Sequence, residues 1–72
     1  MATTVDARGL SCPQPVLMTM EKIKSYQGDE LLVLVDTQAS RENVSRAAQG
    51  QGWQVRDVHE QGEEFHIHIV RS

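Results

Sequence analysis

LLVLV, residues 31–35, is apolar at every position. A strand with one face in water alternates apolar and polar residues. A run apolar on both parities therefore predicts a strand at the centre of a sheet, or one whose outer face is covered. The other elements are arranged around this core strand. Downstream, Ser40 is suited to cap a helix and Glu42 to favour the positive end of its dipole. Val44, Ala47 and Ala48 then give a narrow apolar stripe before Gly50 and Gly52 end the helix. The small alanines predict close packing. Two alternating runs follow, Trp53 and Val55 in one and Phe65, Ile67 and Ile69 in the other, joined as a hairpin around Gln61-Gly62. Val55 and Val58 differ in parity, which a β-bulge near Arg56-Asp57 resolves by admitting one extra residue.

Upstream of the core strand, Val16, Leu17, Met20 and Ile23 recur at three and four residues and predict an amphipathic helix from Pro13 to about Tyr26, ended by Gln27-Gly28-Asp29. Thr3 to Asp6 reads as a short strand centred on Val5. Ala7 to Ser11 reads as a loop in which Gly9 can take a positive φ. The order is βαβαββ. Helical crossovers make the first connections parallel and the hairpin makes the last antiparallel. The expected fold is α+β, a two-layer sandwich with a mixed four-stranded sheet and two helices on one face, formed by residues 1–72 as a single domain.

Composition bounds what such a domain can do. At 72 residues only about 60% of the unfolded chain's surface can be buried, so the core is small. Hydrophobic residues make up 39% and charged residues 24%, the balance of an ordinary globular chain. No stretch reaches the length of a membrane span, and MATTVDARG lacks the regions of a signal peptide, so a cytoplasmic protein is expected. A formal net charge of −3 argues against a nucleic-acid partner, which calls for a basic patch. The single cysteine excludes an internal disulfide or a dithiol redox cycle.

That cysteine lies in GLSCPQPVLM, residues 9–18. If Cys12 is an N-cap, Pro13, Gln14 and Pro15 occupy the first three helical positions, where proline costs little because first-turn N–H groups have no intrahelical partner. The prolines stiffen the turn and remove two donors. The Gln14 amide is then the natural partner of the sulfur, with the Val16 amide next. A thiol at a helix N-terminus titrates below its free value, since the thiolate is stabilised there. Arg8, four residues earlier, would add positive charge if it folded back over the cap. The plainer reading is a small buried hydrophobe, the usual fate of a free cysteine. The cap position, where chain enters helix at the surface, favours a reactive thiol.

VDARGLSCPQPV resembles the signature of the TusA/SirA-like family of small sulfur carriers, Asp-x-x-Gly-x-x-Cys-Pro-x-Pro, here Asp6, Gly9, Cys12, Pro13 and Pro15. VDTQASRENVSRAAQGQGW and the strand pair after it resemble the YedF-type branch in particular, so the likeness spans essentially the whole chain. The resemblance implies a sandwich similar to the C-terminal domain of a translation initiation factor, and a Cys12 that carries sulfur as a persulfide. It implies a cysteine desulfurase or other donor protein as one partner and a downstream acceptor protein as the other, in a relay toward tRNA thiolation or related sulfur or selenium metabolism, with no cofactor. Position 14 is Gln where TusA-type members often carry Glu, so that charge beside the sulfur is absent.

Three further features stand outside this motif. His66 and His68 share a strand face, opposite Phe65, Ile67 and Ile69, and His59 can join them across the hairpin. They read as residues of a solvated face, with no convergent carboxylate or thiol to complete a metal site. Met18 falls off the inward stripe of the first helix and can serve as a contact for a partner protein, methionine being adaptable to varied surfaces. The competing class is a non-catalytic protein- or RNA-binding module, against which the acidic charge and the lack of an aromatic-rich basic face both speak.

Overall fold

The computed structural model describes residues 3–10 and 14–71. Its elements are β1 (Thr3–Asp6), α1 (Gln14–Ser25), β2 (Glu30–Val35), α2 (Gln38–Gly50), β3 (Trp53–Gln61) and β4 (Glu64–Arg71). The strands lie in the order β1-β2-β4-β3. β1 pairs parallel to β2, and β4 pairs antiparallel to both β2 and β3. This is the expected α+β sandwich, and LLVLV is an interior strand with neighbours on both edges. Leu31, Val33 and Val35 are fully buried on the helical face, together with Ile67 and Ile69 of β4. Leu32 and Leu34, of opposite parity, are half-buried on the other face, opposite His68 and His66. The apolar residues of both parities thus serve two surfaces of one central strand.

The hairpin carries the anticipated bulge. Val55 pairs with Ile69 and Asp57 with His68, so Arg56 is the extra residue, and Val58 comes opposite Ile67 on the helical side. Gly62, with φ 62°, opens the two-residue turn to Glu64. It is the one turn residue with positive φ, as a II′ hairpin needs.

α1 differs from expectation in phase and α2 in its cap, while the expected Val44 and Ala48 of α2 do face inward. In α1 the buried residues are Pro15, Thr19 and Ile23, spaced by four, while Leu17 is 57% exposed. The inward face therefore centres two residues away from Leu17, and a threonine occupies its middle. Thr19 is tolerated there because its hydroxyl donates to the Pro15 carbonyl at 2.8 Å, which satisfies the buried oxygen. In α2 the cap is Thr37 and not Ser40. Thr37 has extended dihedrals, and its Oγ1 accepts from the Ser40 amide at 3.1 Å. Ser40 lies inside the first turn and is buried with Val44 and Ala48, a small-residue face that allows the two helices to approach. Among the described residues no helix is long and apolar enough to cross a membrane.

Candidate functional site

The loop leaving β1 is built one residue at a time. Ala7 is fully buried, and its amide donates to the Leu34 carbonyl at 2.9 Å, prolonging the β1–β2 ladder by one bond. Gly9 has φ 78°, the left-handed conformation expected of it, which turns the chain away from the strand. Its amide donates to Asp36 Oδ2 at 2.7 Å, fastening the loop to the residue that follows β2. Leu10 packs against the core. The chain re-enters the described structure at Gln14, exposed at the start of α1, and Pro15, buried against the core side. Cys12 and Pro13, with the cap geometry predicted for them, lie outside the described residues. Both ends of the segment that carries them are anchored.

Arg8 does not stand free to lend its charge to a helix end. Its Nε and Nη2 donate to the two Asp6 oxygens at 2.9 and 2.8 Å, its amide donates to Asp6 Oδ1 at 3.1 Å, and Nη1 donates to Glu64 Oε2 at 3.1 Å. One guanidinium is shared by two carboxylates, which offsets its positive charge. The fork of hydrogen bonds from the Arg8 side chain, reinforced by its amide, holds the Asp6 carboxyl down at about 2, and the same pairing pushes the Arg8 guanidinium further up. Sequence reading placed Asp6 at the end of the first strand and Arg8 and Gly9 in the loop after it but missed Asp36 and Glu64. No local pattern announces a partner 27 or 56 residues away.

Met18 is 36% exposed, as its position off the stripe predicts, and Leu17 stands beside it, more exposed still. A groove of about 440 Å³ runs between β1 and α1, lined by Thr4, Val5, Asp6, Met18, Glu21 and Lys22 along with Ser25. The opening of α1 thus presents apolar surface next to the anchored loop.

The histidines are arranged otherwise. His59 pairs with His66 across the hairpin on the open sheet face. His66 Nε2 lies 3.3 Å from Glu64 Oε1, within hydrogen-bond reach, while His68 Nε2 lies 3.5 Å from Glu30 Oε2 but makes no hydrogen bond to it, so the two imidazoles of β4 lie near carboxylates at opposite ends of the strand. Among the described residues no group of three or more His, Cys, Asp or Glu is placed to hold a metal ion.

With this geometry in place, the comparisons with known proteins are specific. A family model described as sulfurtransferase TusA matches residues 3–71. The chain is also similar to the crystal structure of a SirA-like protein from Desulfitobacterium hafniense. The TM-score is 0.85 at 32% identity, over 94% of this chain and 95% of that one.

Proposed function

The chain belongs to the TusA sulfurtransferase family, and from that premise we propose that it carries sulfur as a persulfide on Cys12. The observation that carries this reading is the family match through residues 3–71, which includes the anchored segment bearing the chain's only cysteine. The Cys12 thiolate attacks the terminal sulfur of a donor persulfide. A new S–S bond forms at Cys12, the donor S–S bond breaks, and the donor cysteine leaves as a thiolate. An acceptor thiolate then attacks the same outer sulfur and expels Cys12 as a thiolate. Each exchange conserves electrons, and the rate depends on thiolate fraction and access. A second cysteine in the chain would attack the persulfide and release sulfide, so a single thiol suits a carrier.

Asp6 and Gly9 fix the loop that leads toward Cys12, the two prolines that follow Cys12 in the sequence restrict the backbone there, and Gln14 adds no charge beside them. Met18, with Leu17, gives the donor an apolar contact on the exposed side of α1. The donor is a cysteine desulfurase or a protein of like chemistry. The acceptor is a relay protein serving tRNA thiolation or related sulfur or selenium metabolism, and the setting is the cytoplasm. Intact-protein mass spectrometry without reductant tests the reading. After incubation with a cysteine desulfurase and free cysteine, the wild type gains the mass of one sulfur atom, dithiothreitol removes it, and Cys12→Ser gains nothing. Equal gain on both proteins would overturn the assignment.

A further inference from the structure

β3 is an outer strand of the sheet, since the order β1-β2-β4-β3 leaves one of its edges unpaired. It runs for nine residues, and residues 56–61 are all exposed. Val58 is 37% exposed although it lies on the helical side, opposite Ile67. Proteins usually shorten or cover such an edge, because its free N–H and C=O groups can pair with another strand. Arg56 is the bulge residue, and its Nη1 lies 3.5 Å from Glu30 Oε1 within its own chain. The regular stretch of exposed edge is therefore residues 57–61. Asp57 and His59 face the open side, opposite His68 and His66. Among the described residues neither side chain has a hydrogen-bond or ion-pair partner.

Directly opposed residues of an antiparallel pair share one face of the sheet, so a strand that meets its own copy is centred on a residue facing itself. Centred on Asp57 or Glu60, this edge sets carboxylate against carboxylate, and centred on His59 it sets imidazole against imidazole. Centred on Gln61, the pairing runs into the turn at Gly62. Only the register centred on Val58 is self-complementary. It puts Asp57 opposite His59 of the second copy, twice by symmetry, while the two Val58 side chains meet on the helical side. His59 can donate a ring N–H to that carboxylate whether or not the imidazole is charged. A groove of about 310 Å³ on the helical side, lined by Val58 and Phe65 with Gln38, Arg41 and Glu60, leaves room for the second Val58.

We propose that β3 is a homodimerisation edge, at which two copies of the chain pair antiparallel about Val58 and join their sheets into one of eight strands. The ladder is short and buries less than about 1,000 Å², so the association is weak, with a dissociation constant on the order of 100 µM. The dimer makes no use of Cys12, and its failure leaves the carrier reading untouched.

The test is sedimentation velocity of the full chain from about 10 µM to about 1 mM, a range that brackets so weak a constant. Reductant is present, which excludes a disulfide-linked dimer. The proteins are wild type, H59E and D57K/H59E, and thermal melts check that each folds. H59E opposes carboxylates at both symmetric positions and is expected to weaken the dimer about tenfold. D57K/H59E opposes an ammonium to a carboxylate at both and is expected to return the constant to within about twofold of wild type. A chain that stays monomeric throughout overturns the proposal and leaves the edge to a strand of some other protein. A dimer that H59E does not weaken, or that D57K/H59E does not restore, forms through a different surface or register and overturns it equally.

Discussion

The Gly9 amide donates to Asp36 Oδ2 across 2.7 Å, joining the loop after β1 to the residue that follows β2. Two adjacent parallel strands thereby end in a common clasp, and the clasp depends on a backbone conformation that only glycine adopts freely. A Cβ built on Gly9 meets nothing within 4 Å, so its φ of 78° is the sole obstacle to a side chain there. Gly9→Ala is expected to destabilise the protein by about 1 kcal/mol in urea unfolding. Asp36→Ala leaves the amide to water, and its expected mark is exchange at the Gly9 N–H roughly tenfold faster, the equivalent of about 1.4 kcal/mol. Unchanged exchange would show that the clasp does not order the loop.

The Asp6–Arg8 fork makes a second prediction, in acid. The Asp6 carboxyl titrates at about 2 in the fold against an ordinary value of 3.8. A group depressed on folding contributes stability that is fully present above its unfolded pKa and is lost as pH falls through the folded one. The Asp6 contribution is therefore complete above about pH 4 and fades toward pH 2. Because the pair is well exposed, the effect is small and screened by salt. Thermal melts of wild type and Asp6→Asn are expected to converge as pH drops from 5 to 2 at low ionic strength, and to differ less in high salt. Curves that stay parallel across that range would remove the fork from the stability of the fold.

Much of this architecture is legible in the sequence, for identifiable reasons. LLVLV announces its central place because a covered strand needs apolar residues on both faces, and the parity break between Val55 and Val58 reports the bulge at Arg56. Period two is unforgiving, since one slip reverses every side chain. Helical phase is less constrained. Leu17 fits the predicted stripe as well as Thr19 does until the Thr19 hydroxyl finds the Pro15 carbonyl, and hydropathy cannot register that bond. Thr37 and Ser40 are both capable caps, and the choice falls to Thr37 because the helix begins almost as soon as β2 ends. At the site, the loop's composition was readable from the motif. The Asp36 and Glu64 contacts to it were not, because tertiary topology alone brings them near.

The phase of α1 leads to a prediction that separates stability from docking. Ile23 is 7% exposed and Leu17 57%, although both lie on the same apparent stripe. Ile23→Ala opens a cavity in a small core and is expected to cost about 2–4 kcal/mol. Leu17→Ala removes exposed surface and is expected to stay within about 0.5 kcal/mol of wild type. If Leu17 and Met18 form the donor's contact, Leu17→Ala and Met18→Ala instead weaken the encounter. Each apolar side chain lost from such an interface costs about 1 kcal/mol, roughly a fivefold rise in the donor concentration needed for half-maximal persulfide loading. The plateau rate at saturating donor stays unchanged, because the thiol itself is untouched. Urea melts and loading rates across a donor titration measure both quantities. Variants that unfold like wild type and load like wild type at every donor concentration would move the docking surface away from α1.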